Sequence, residues 1–168
     1  MKPSCLKNNR LLFAFCLLLL FACTNSVKKA PLVDRTKLTD EQKRLAENAL
    51  SSFKVADGLQ VEQFASETRM TNPTNMDIDA RGRVWLTEGY NYRFNLNAGH
   101  TEKDAGDRVL ILEDTNGDGK ADTSKVFYQD TSINAALGIA VLGNKVIISC
   151  SPNVFVLTDT DGDDKADK

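Results

Sequence analysis

Asp114, Asn116, Asp118 and Asp122 stand in one loop, and Asp159, Asp161, Asp163 and Asp167 take the same places in a second. Hard divalent cations bind through many oxygens, and side-chain oxygens at alternate positions of a tight turn aim at a common centre. The backbone carbonyls of Lys120 and Lys165 fall where an EF-hand loop supplies its main-chain ligand. At the twelfth position, where an EF-hand has its bidentate glutamate, the first loop has Lys125, and strands are expected on either side in place of helices. These are calcium-type Asp loops on a β scaffold. Two readings stay open: calcium sites, or Asx-rich turns without an ion, because Asp and Asn stabilise turns unaided. Gly119 sits where the chain needs a positive φ, whereas the second loop has Asp164 there. The first loop is therefore expected to be the better cation site.

The elements that must position these loops repeat with them. VLILEDTNGDGKAD begins at Val109 and VFVLTDTDGDDKAD at Val154, about 45 residues apart, a spacing in the range of a β-propeller blade. Short strands are expected at 60–65, 76–79, 83–87, 109–112, 125–128, 136–142, 145–149 and 154–157, from alternation and from turn signals between them. Ala80-Arg81-Gly82 and Gly143-Asn144 read as hairpin turns. Met76, Ile78, Val84 and Leu86 correspond to Leu137, Ile139, Val146 and Ile148. This hairpin spacing exceeds the loop spacing by roughly sixteen residues, which fits one long polar insertion, 89–107. The expected fold is all-β: a partial propeller of about two four-stranded blades spanning 57–168. A strand is expected to follow the second acidic loop, so the chain reads as a truncated N-terminal part of a propeller.

Ahead of the blades, Thr39 with Gln42 forms a capping-box signature, and Leu45, Ala49, Leu50 and Phe53 keep helical spacing, so 39–56 reads as one short helix. Residues 23–38 are polar and suit a tether. Lys2, Lys7 and Arg10 precede an apolar run ending in Leu20-Phe21-Ala22-Cys23. Residues 1–22 read as a lipoprotein signal peptide with lipidation at Cys23, the alternative being an ordinary signal with an incidental cysteine. Acyl chains on Cys23 would anchor the protein at a membrane surface of the cell envelope, in the periplasm or at the outer membrane. Cys150 then remains alone, and its place in an apolar run marks it as a packing thiol. A net charge of −2 gives no basic surface for nucleic acid.

No standard catalytic constellation is visible. His100, the chain's one histidine, lies in the polar insertion and is the candidate catalytic residue; a solvated loop residue is the other reading. Tyr90, Tyr92 and Arg93 in the same loop could recognise an anionic or sugar-like ligand. Trp85 at a strand centre reads as core.

The run from Phe53 through Gly58-Leu59-Gln60-Val61-Glu62, Asn72-Pro73-Thr74-Asn75-Met76-Asp77-Ile78-Asp79 and Gly82-Arg83-Val84-Trp85-Leu86-Thr87-Glu88-Gly89 carries a family resemblance. It continues through Gly106-Asp107-Arg108-Val109, the two acidic loops and Ala136-Leu137-Gly138-Ile139. The chain resembles the membrane-bound dehydrogenase family described from planctomycetes and verrucomicrobia, which is similar in turn to soluble quinoprotein glucose and sorbosone dehydrogenases. The resemblance implies an exported, often lipid-anchored propeller. It also implies pyrroloquinoline quinone (PQQ) as cofactor, a histidine base, a sugar or alcohol substrate and a cytochrome c as electron acceptor. The alternative from a different class is a non-catalytic, calcium-stabilised propeller module that binds glycans or proteins at the cell surface. Either way, a fragment of this length is expected to lack activity, because a central propeller site needs blades from the whole ring.

Overall fold

Alternating apolar and polar residues fold into two antiparallel sheets. The computed structural model describes residues 33–67, 69–92 and 104–167, all within one compact unit, Val33–Lys168. The first sheet runs in the order β1 (Pro73–Ile78), β2 (Val84–Glu88), β3 (Asp107–Glu113), β4 (Thr123–Asp130). The second runs β5 (Gly138–Leu142), β6 (Lys145–Cys150), β7 (Asn153–Thr158). The fold is thus mostly β, as expected, with seven strands among the described residues where eight were expected. No described helix is long and apolar enough to cross a membrane.

The missing eighth strand is 60–65. Its alternation is present, yet it joins neither ladder: it lies extended against the face of the first sheet, where Phe64 and Ala65 pack on Leu86, Leu110 and Leu112. Alternation shows that one side of a segment is buried; it cannot show that a sheet edge is available for pairing. The single helix expected over 39–56 is also divided. An α-helix, Asp40–Arg44, carries the full Thr39–Gln42 capping box. Leu45 then turns extended (ψ 138°), and Ala46–Ser52 winds as a 3-10 helix. Buried Asn48 reaches back to the Gln42 carbonyl at 3.0 Å, so a side chain takes the hydrogen bond the next turn would have supplied.

Register explains the core. Trp85 lies opposite Ile111, and Thr87 opposite Val109, on one face of the first sheet. That face meets Val146, Ile148 and Leu157 of the second sheet, with Trp85 edge-on to Phe127 at 4.8 Å between ring centroids. Trp85 is core, as its strand position suggests. Cys150 joins the same cluster and donates to the Asn134 carbonyl at 3.1 Å; burial pushes its thiol pKa up. The seam between sheets is polar at β1: the Asp77 carboxylate accepts from the Val141 amide at 2.7 Å, Asn75 donates to the Leu137 carbonyl at 2.9 Å, and Thr74 donates to Ala136.

Candidate functional site

Each acidic loop is built by its own carboxylates capturing backbone N–H groups. In the first, Asp114 accepts from Gly117 at 2.7 Å and Gly119 at 2.7 Å. Asp122 accepts from both the amide and the hydroxyl of Thr115, each at 2.8 Å. The Gly119 amide first, then those of its neighbours, hold Asp114 below the usual carboxylate range against a small burial cost, and Thr115 does the same for Asp122. The second loop repeats the scheme. Asp159 accepts from Gly162 at 2.7 Å and Asp164 at 3.0 Å, and Asp167 accepts from the Thr160 amide at 2.7 Å. Asp118 and Asp163 accept from the amides of Lys120 and Lys165, both at 2.9 Å.

Asn116 and Asp161, at matching places, make the two loops close differently. Asn116 of the first donates its side-chain amide to Asp122 at 2.9 Å, closing the ring without a cation. Asp161 replaces it in the second and has no proton to give. Asp159, Asp161 and Asp167 there present carboxylate oxygens all within 4.8 Å of one another. Like charges this close repel, and a divalent cation would relieve them. The glycine argument favours the first loop; the carboxylates that stand together are those of the second.

Asp164 itself has a role that its place in the sequence conceals. It takes φ +64°, and its carboxylate receives Arg83 Nη1 at 2.7 Å, Lys125 Nζ at 2.8 Å and Arg81 Nη2 at 3.4 Å from the first sheet. Read alone, it is a poor substitute for glycine. In the fold it is the ionic clamp between the sheets. The cleft beside it, about 610 Å³, is lined by Asp79, Arg83, Asn144, Asp159 and Asp161 among others.

Arg83 is shared. Its Nε donates to Asp79 at 2.7 Å, its side chain is 8% exposed, and its guanidinium lies 5.4 Å from the Trp85 ring. Asp79 also accepts from Trp85 Nε1 at 3.0 Å and from the Arg81 and Arg83 amides, both at 2.9 Å. Burial by itself would raise the Asp79 pKa, but the Trp85 and Arg83 donors outweigh it and bring it from 3.8 to about 2. A depressed folded-state value means stability that is complete above the unfolded pKa and lost as pH falls through the folded one. Stability is therefore expected to drop by about 2 kcal/mol from this group between about pH 4 and pH 2. Urea midpoints across that range check it, and an Asp79→Asn profile with the same slope would contradict it.

Sequence reading missed the residues that anchor the polar loop between β2 and β3. Glu88, 1% exposed, receives Arg108 at 2.6 and 2.8 Å and the Thr71 amide at 2.6 Å. Buried Asp107 accepts from the amides of Asn91 at 2.9 Å and Ala135 at 2.7 Å. Gly106 (φ +82°) has no room for a side chain, since a Cβ would lie 2.2 Å from the Asp130 carbonyl carbon. The available signal was a set of charged residues directly abutting apolar strand runs. Tyr90 and Tyr92 stand at the loop's start, while His100 and Arg93 lie outside the described residues, as does the lipidation candidate Cys23.

Repeated antiparallel sheets, each leading into an Asp-rich loop, define the class: a mostly-β repeat protein with candidate cation loops. The chain belongs to the family described as Domain of unknown function (DUF7133), which matches residues 45–168. No curated protein and no solved structure matches it.

Proposed function

We propose that the chain is a lipid-anchored β-propeller module whose second acidic loop binds a divalent cation of the calcium type, stiffening the loop that clamps one sheet to the next. The observation that carries the cation reading is the approach of Asp159, Asp161 and Asp167 within 4.8 Å. The repeat of antiparallel strands and acidic loop supports the propeller. Asp167 lies on the same short loop as Asp164, so a cation there would hold in place the carboxylate that receives Arg83 and Lys125. Calcium titration is expected to release or absorb heat and raise the melting temperature. Stabilisation reaches about 3 kcal/mol when the ion stands at a hundredfold its Kd. Asp161→Asn, which copies the self-closing arrangement of Asn116, is expected to abolish both effects and leave the fold intact. No heat with the wild-type protein, or an unchanged response in Asp161→Asn, would return the loops to ion-free Asx turns.

The polar loop supports a second reading, as part of a PQQ-type sugar or alcohol dehydrogenase that passes electrons to a cytochrome c. The observation in its favour is the buried anchoring of both loop ends by Glu88–Arg108 and Asn91–Asp107, more than a solvated connection needs. The quinone would supply the hydride-accepting chemistry. The described residues do not by themselves fit it: they contain no histidine, and Arg83, the buried cation at the polar cleft, is already paired with Asp79 and Asp164. Dye reduction with added PQQ across a panel of sugars and alcohols tests this reading, and absence of quinone-dependent turnover in the full-length protein would end it.

A further inference from the structure

The Asn116–Asp161 difference between the two acidic loops is one that the chain's own chemistry can remove. Asn116 is the only asparagine of the chain followed by glycine, and its counterpart Asp161 is followed by Gly162. Asparagine is chemically labile, and its conversion to an acid is intramolecular. The backbone nitrogen of the next residue attacks the side-chain Cγ and closes a five-membered ring. A glycine in that next position favours the attack, because it brings no Cβ to crowd the nitrogen and adapts its backbone to the ring.

The loop supplies the groups that such a ring closure uses. Asn116 and Gly117 are exposed, and a Cβ on Gly117 would meet nothing within 4 Å. The nucleophilic nitrogen faces a base: the Gly117 N–H donates to the Asp114 carboxylate at 2.7 Å. The Asn116 side-chain oxygen accepts from the Asp118 amide at 2.9 Å. That N–H stands where negative charge gathers as the nitrogen adds to Cγ, which is the part an oxyanion-hole donor plays in acyl transfer.

We propose that Asn116 is a site of spontaneous deamidation in the folded protein, through which the self-closed first loop becomes an acidic loop of the second kind. The Gly117 nitrogen gives its proton to Asp114 and bonds to Cγ. The Cγ–Nδ2 bond breaks, and Nδ2 leaves as ammonia with that proton. Water then opens the ring at Cγ to give aspartate, or at the main-chain carbonyl carbon of residue 116 to give isoaspartate.

The aspartate product is already accommodated by this fold. At the matching place Asp161 accepts from the Asp163 amide at 3.2 Å, as Asn116 does from Asp118. What disappears is the N–H that Asn116 gives to Asp122, and the carboxylates left facing each other repel. The isoaspartate product lengthens the main chain between Asp114 and Gly119, whose amide Asp114 captures at 2.7 Å, so it opens the loop further. The modification does not depend on the cation reading of the second loop, and the test reads it by mass.

Trypsin cuts after Arg108 and Lys120, and in the resulting peptide 109–120 Asn116 carries the one side-chain amide. The folded full chain is incubated at mildly alkaline pH and digested beside a sample taken at the start. Peptide 109–120 is expected to gain the mass of an amide turned into an acid, with isoaspartate and aspartate both present. Peptides carrying Asn75, Asn134, Asn144 and Asn153, none followed by glycine, are expected to stay unchanged over the same period. Asn116→Gln keeps an amide but needs a larger ring, and is expected to lose the mass gain. Asn116→Asp, melted in chelator, is expected to unfold about 2–4 °C below wild type, the effect of one lost hydrogen bond in a chain of this size. A peptide 109–120 unchanged in the folded protein, a mass gain without isoaspartate, or an Asn116→Asp variant that melts with wild type overturns the proposal.

Discussion

Asp79→Ala is expected to lower unfolding free energy by about 3–5 kcal/mol, the range found when one partner of a buried, hydrogen-bonded charge pair is removed. Three losses combine. Arg83 keeps Asp164 but loses the Nε contact at 2.7 Å inside a site where its side chain is 8% exposed. Trp85 Nε1 loses its acceptor while the ring stays buried, and an unpaired buried donor costs its desolvation. The β1–β2 turn loses the carboxylate that accepts the Arg81 and Arg83 amides. Urea denaturation followed by Trp85 fluorescence reads the effect directly. Asp79→Asn keeps an acceptor for part of this network and is expected to fall between wild type and alanine. A loss below about 1 kcal/mol would mean that water reaches Arg83 and that the cluster is a surface pair in energetic terms.

Glu88→Ala is expected to cost about 3 kcal/mol and to loosen the long polar loop. Glu88 is almost fully buried and receives a bidentate Arg108. Its removal leaves that guanidinium at the start of β3 with no carboxylate. The side chain of Arg108 is 28% exposed, so some rehydration offsets the loss and keeps the cost below that at Asp79. The Thr71 amide loses its acceptor too, next to Asn72, whose side chain and carbonyl bond to Gly89. Faster proteolysis within 89–107 than in wild type, together with the lower urea midpoint, is the expected pair of results. Cleavage at the wild-type rate would show that Asp107 and Asn91 hold the loop without Glu88.

How far the sequence reaches can be judged residue by residue. The hairpins around Gly82 and Gly143-Asn144 were legible because turn chemistry and period-two alternation are local properties. Trp85 and Cys150 were legible as core because each lies within an apolar strand run. The alternation of Gln60-Val61-Glu62-Gln63-Phe64-Ala65 identified a half-buried segment but not its neighbour, and the neighbour is a sheet face. The Thr39 capping box formed as written, yet Asn48 ended the α-helix from outside the pattern that predicted it.

Asp164 marks the boundary most clearly. The sequence by itself determined that two acidic loops recur on a β scaffold, that Asp164 stands where a glycine is wanted, and that an insertion lies within the first repeat. Turn geometry and strand alternation depend on residues a few positions apart. Only the tertiary structure decided that Asp164 clamps Arg83 and Lys125, that Asn116 closes one loop while Asp161 leaves three carboxylates facing each other in the other, and that Glu88 and Asp107 pin the insertion. The clamp and the pins join groups as much as 83 residues apart, and such contacts are set by which sheet faces pack together. Loop closure is nearer in sequence, but it turns on whether a side chain has a proton to donate across the turn, which the spacing of oxygens does not record.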